Sequence, residues 1–341
     1  MAHDLGHPPF GHVAEAELNR LVQDEGNTDG FEGNAQSFRI VTRLAAHREG
    51  YLGLDLSVAT LNGLLKYPWT RDAAPKGAKP GKFGVYVDDI DVFNFARTGL
   101  EEDQRPTSEA QLMDYADGVA YSVHDLHDFY RAGLIPIDRL AAYEEEFFGV
   151  LEKWVHSGRI QQEELDQHVA SLQRLVQWLA TQTEYTGTRE QRAHLAGRSA
   201  LMIGRYVDGV RLQSPDRNGK VVVADPAHPI ELGFLQRLVW HYVIDNPRLA
   251  TQQEGQRKIV EYLFLNCLSA IRNGNRWVIP ASFREEMEDI SRGPLRRRAR
   301  ARREARLAAD VVASLTDDAA QSLYLRLSGV RPGSLLELLD G

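Results

Sequence analysis

Apolar residues recur at helical spacing along most of this 341-residue chain, and that period commits it to a mostly α-helical fold. Over 12–22 the stripe is Val13, Leu18, Leu21 and Val22. A second helix is expected from Asn34 to about His47, with Phe38, Ile40, Val41 and Leu44 inward, and a third over 56–65, stopped by Pro68. After Pro106 the pattern runs to about Tyr130, with Ser108 as the expected cap and Gln111 closing a capping box. Further helices are predicted at 137–155, 160–183, 189–211, 230–245 and 254–272. Residues 68–90, with Pro75, Pro80, glycines and lysines, read as loop. Only 210–224 departs from helix. There Asn218-Gly219 lies between Val210-Arg211-Leu212 and Val221-Val222-Val223, which signals one hairpin and cannot carry a fold alone.

Composition narrows the function classes. Hydrophobic residues make up 43% and charged residues 26%, ordinary for a soluble globular protein, and a net charge of -8 argues against a surface broadly coated with nucleic acid. No apolar run reaches the roughly 18 residues of a membrane span. Met1-Ala2 passes straight into His3-Asp4, with neither the basic nor the apolar region of a signal peptide. Cys267, the single cysteine, lies in an apolar run and is expected to be a buried thiol, in keeping with a reducing cytoplasm.

The chemistry concentrates at the start, MAHDLGHPPFGHVAE, where three of the 11 histidines fall in the first 12 positions. Adjacent His3 and Asp4 offer a mixed nitrogen and oxygen donor pair suited to Mg, Mn, Fe or Zn. His12 and Glu15, three apart at the start of a helix, share a face. A carboxylate there orients the imidazole and favours its protonated form, so the pair can deliver a proton or position a water. Pro8, Pro9 and Gly11 stiffen the loop between the two pairs. Downstream, Asp117, Tyr121 and Asp125 are spaced four and four apart on the helix after Pro106, so they line one face. By themselves, a His-Asp dipeptide, an acidic helix stripe, Asn34 as a helix N-cap or Lys66 as a solvated cation mean little.

Together these strings resemble the hallmark segments of the HD superfamily's deoxynucleoside triphosphate triphosphohydrolases, the dGTPase-like family. AHDLGHPPFGHVAE carries the resemblance most strongly, with LMDYADGVAYSVHDLHD, GFEGNAQSFR and LLKYPW in support. ARLAADVVASLTDDAAQSLYLRL is similar to the family's closing helix, but has Ser314-Leu315 where Gly-Met is usual. The resemblance implies an HD-domain helical bundle, with a catalytic core over 1–135 and a helical C-terminal region over 136–341. It implies metal ligands His3, Asp4 and Asp117 and a catalytic pair His12 and Glu15. His7, Asn34, Lys66, Tyr67, Tyr121 and Asp125 would bind substrate: His7 and Lys66 at phosphate, Tyr67 packed nearby, Tyr121 and Asp125 at the sugar. The implied cofactor is a divalent metal, Mg or Mn ahead of Fe or Zn. The implied reaction converts a deoxynucleoside triphosphate to deoxynucleoside and inorganic triphosphate.

The family also carries a further histidine ligand upstream of the His-Asp pair, so a missing N-terminal part of the core is expected. Two rival readings are another HD-type nucleotide phosphohydrolase and an inactive nucleotide- or nucleic-acid-binding module. The second draws on Arg292, Arg296, Arg297, Arg298, Arg300, Arg302, Arg303 and Arg306, which could contact DNA or a regulatory nucleotide, or form a solvated helix face. A homo-oligomer fits some relatives.

Overall fold

The computed structural model describes residues 2–100, 103–137, 144–158, 160–179, 185–216, 219–244 and 247–331. The fold is mostly α, and its one sheet among the described residues is a two-stranded antiparallel hairpin. The chain divides into two compact units, Met1–Ala110 with Thr251–Gly341, and Gln111–Ala250.

In the first unit, a 3-10 turn at Ala2–Asp4 leads through a loop into α1 (His12–Asp24). Then come α2 (Gly33–Arg39), α3 (Val58–Leu64) and α4 (Ile90–Ala96). The later helices are α10 (Pro247–Arg272), α11 (Ala281–Arg292), α12 (Arg297–Ala313) and α13 (Asp317–Leu327). Ala14, Leu18, Leu21 and Val22 of α1 share one core with Leu263, Phe264 and Cys267 of α10 and Ala308, Val311 and Val312 of α12. Ala14 takes the inward place expected of Val13, which is half-buried. Cys267 is buried as expected, and burial pushes its thiol up to about 12.

Several local expectations change. The helix from Asn34 does not reach His47: after Arg39 it widens into a π-helical turn, Ile40–Leu44. The Thr42 hydroxyl donates to the Phe38 carbonyl at 2.6 Å, the kind of side-chain competition that loosens a helix beside β-branched neighbours. Asn34 is not the cap of α2. That place belongs to Glu32, whose carboxylate accepts from the Asn34 and Ala35 N–H groups. Seven-residue α4 was not expected. It is too short to stand on propensity and is held by Val92 and Phe93 packing on Phe38 and Leu61. The closing segment is two helices, with Thr316 capping the second through the Ala319 N–H.

The second unit holds most of α5 (Ser108–Arg131), then α6 (Glu144–His156), α7 (Leu165–Leu179), α8 (Arg189–Asp208), the hairpin and α9 (Ala227–Val239), which runs into a π-helical turn, Trp240–Ile244. Val119, Val123, Leu126 and Tyr130 of α5 join Trp154, Met202, Tyr206 and Phe234 in its core. The strands are β1 (Val210–Leu212) and β2 (Val222–Ala224), with Arg211 opposite Val223. Asn218 of the expected turn lies outside the described residues, as do the expected helix positions 138–143, 180–183 and 245. The capping box at Ser108 does not form as read. The Thr107 hydroxyl accepts from the Ala110 N–H, and Gln111 turns to the hairpin, donating to the Gly219 carbonyl and accepting from the N–H groups of Val221 and Val222.

Candidate functional site

The loop over 3–11 is built rigidly onto the first unit. The Ser37 hydroxyl, on α2, donates to the His3 carbonyl and accepts from the Gly6 N–H at 2.9 Å. Gly6 is required by this approach, since a Cβ there would lie 2.2 Å from the Gly33 carbonyl oxygen. Phe10, with φ of 66°, sits in the left-handed region, and its N–H donates to the Asp317 carboxylate at 2.9 Å. A bulky residue holds that conformation only where its surroundings impose it.

On this loop the expected ligands His3 and Asp4 lie together, with His7, expected at phosphate, beside them. His3 Nε2 lies 3.1 Å from Asp4 Oδ1, and His7 Nδ1 lies 3.2 Å from the same oxygen. His3 is buried, while Asp4 is half exposed. The hydrogen bond with Asp4 raises the His7 imidazole above its ordinary pKa, against the effect of burial. Imidazole nitrogens gathered on a carboxylate suit a divalent cation of the Mg, Mn, Fe or Zn group.

One helical step on, His12 Nδ1 is 2.9 Å from Glu15 Oε2. The imidazole side chain is 75% exposed and the carboxylate 10%, so a buried anion grips a ring that faces solvent. His7, His12 and Glu15 each offer a donor atom, all within 4.8 Å of one another. Burial alone would raise the Glu15 carboxyl, but hydrogen bonds from His12 and Lys82, and their charges, bring it down to about 2.

Lys82 is the residue that motif reading missed. Its ammonium donates to Glu15 Oε1 and to Glu32 Oε1, each at 2.8 Å. Burial would lower its pKa, and the two carboxylates raise it instead. Glu32 also accepts from the Asn34 side chain at 2.9 Å, so Asn34 is tied to the same cluster. The phenol of Tyr67 packs on Trp69, and Lys66 lies over the Tyr67 ring, 5.8 Å from its centre.

In the second unit, Val119, Val123 and Leu126 turn α5's apolar face into the core, and Asp117, Tyr121 and Asp125 keep more exposure on another face. Burial, then the neighbouring Asp125, raises the Tyr121 phenol. Burial raises Asp125, opposed by its hydrogen bond with Tyr121.

The arginine run is not one basic surface. Arg306 is 1% exposed, stacks 3.4 Å over the Tyr86 ring centre and donates to the Gly30 carbonyl. Arg300 donates to the carbonyls of Ile290, Ser291 and Gly293, closing the end of α11. Arg292, Arg296, Arg297 and Arg298 are exposed. No helix among the described residues is long and apolar enough to cross a membrane.

A family model described as a phosphohydrolase-associated domain matches residues 222–326. A deoxyguanosinetriphosphate triphosphohydrolase-like protein of Streptomyces coelicolor is 36% identical over 96% of this chain and 76% of its own length. Its namesake in Corynebacterium efficiens is 32% identical over 97% of this chain and 76% of its own length. That of Bifidobacterium longum is 31% identical over 95% and 68%. The chain belongs to the family of deoxyguanosinetriphosphate triphosphohydrolase-like proteins.

Proposed function

We propose that this protein hydrolyses a deoxynucleoside triphosphate, dGTP or a close relative, to deoxynucleoside and inorganic triphosphate, in the cytoplasm and with a bound divalent metal. The observation that carries the reading is the His12–Glu15 pair at 2.9 Å, on the same clamped segment as His3, Asp4 and His7. His3 and Asp4 are the ligands on the loop, and Asp117 is the further carboxylate that the family resemblance assigns. Bound there, Mg or Mn, ahead of Fe or Zn, would supply Lewis acidity and a water that ionises near neutral pH.

The chain's own groups do the rest. Water attacks the α-phosphorus, the bond to the 5'-oxygen breaks, and His12 gives that oxygen its proton. Glu15 keeps the imidazole aimed. His7 and Lys66 offset charge on the triphosphate, Asn34 and Tyr67 position it, and Tyr121 and Asp125 receive the sugar through ring contact and a hydroxyl bond. Product analysis tests the reading: metal-loaded protein given dGTP should release inorganic triphosphate and deoxyguanosine. Orthophosphate as the product, or turnover of monophosphates instead, would replace it with another HD-type phosphohydrolase.

A further inference from the structure

Lys82 lies in the glycine- and proline-rich loop between α3 and α4, outside every motif that marks the site. Its side chain is 23% exposed, against 10% for Glu15 and 1% for Glu32. Each carboxylate it touches has a second task. Glu15 holds His12 through Oε2. Glu32 caps α2, accepting from the Asn34 N–H at 2.6 Å and the Ala35 N–H at 3.1 Å, while its Oε1 takes the Asn34 side chain. Two carboxylates this close and this buried repel each other unless a cation stands between them. A lysine ammonium, compact and with three donors, can serve both at once.

We propose that Lys82 is a positioning residue for the hydrolysis, fixing through one ammonium the carboxylate that aims His12 and the helix cap that presents Asn34. This rests on the proposed function above. Without the ammonium, Glu15 turns toward His12 alone or swings from Glu32, and the aim of the imidazole is lost. The charged groups around His12 are Glu15 on its own helix, His7 from the loop and, behind these, Lys82, Glu32 and Asp4.

The test combines turnover with the His12 titration followed by NMR, its signal assigned by comparison with His12→Gln. Lys82→Met should lower kcat about 10- to 100-fold, as loss of an orienting partner does, with little change in KM. It should also raise the pH at which His12 loses its proton, because a nearby positive charge has gone. Glu32→Gln should shift that titration the opposite way, and Lys82→Arg should restore much of both readouts. A folded Lys82→Met protein, or a folded Glu32→Gln protein, with the wild-type His12 titration overturns the proposal. The two readings fail separately: wild-type protein that releases no triphosphate removes the hydrolase reading, while the His12 titration still reports on Lys82.

Discussion

Two carboxylate clusters in the first unit are both neutralised by cations, and they differ in one respect. Around Arg39, Nη1 meets Asp89 at 2.8 Å, Nε meets Asp310 at 2.9 Å, and Arg43 adds a contact to Asp89 at 2.5 Å. Both aspartates are fully buried, and Gln36 donates to Asp310 at 2.9 Å. The Lys82 cluster has the same ingredients, but one of its arms, His12, reaches into solvent. A charge surrounded on every side braces a fold. A charge with one partner left accessible can act on something that arrives.

Four measurements bear on that contrast. The largest effect is expected of His12→Ala: triphosphate release should fall by about 10²- to 10⁴-fold, the usual worth of a general acid, in a protein that still folds. Full activity in that variant would leave the exposed arm without a task. Arg39→Ala should behave in the opposite sense, losing about 3–5 kcal/mol of stability in urea unfolding because the Asp310 carboxylate is left in the interior without its cation. A wild-type midpoint would show that the closed cluster braces nothing.

Acid should reach the open cluster next. Glu15 is depressed to about 2 from its ordinary 4.5, so its contribution is complete above pH 4.5 and disappears as pH falls toward 2. That is on the order of 3 kcal/mol, and unfolding followed across this window should show a weaker pH slope in Glu15→Gln. The smallest effects belong to the arginine run. Arg306→Gln should cost about 1–3 kcal/mol by leaving the Gly30 carbonyl and the Tyr86 face uncovered, whereas Arg297→Gln should stay within about 0.5 kcal/mol in thermal unfolding. Equal effects at the two positions would restore the picture of a uniform basic face.

What could be read from the sequence follows from the range of the interactions. Helical period and the three-residue step from His12 to Glu15 are local, and the fold and that pair follow from them. Lys82 approaches Glu15 from 67 positions away and Glu32 from 50, out of a segment whose composition says only loop. Asn34 was visible as a polar residue at a helix start, but Glu32 wins the cap because its longer side chain reaches two N–H groups and the Asn34 amide together. Arg306 looks like its neighbours in a run of arginines. Only the ring of Tyr86, supplied from far upstream, separates it from the exposed ones.

The strained backbone at Phe10 is held by a carboxylate 307 positions later in the chain. During synthesis, the segment bearing His3, His7 and His12 is made well before Asp317 and gains this restraint only when Asp317 emerges. Newly made chains therefore pass through an interval in which the histidines are present but their loop is not yet locked.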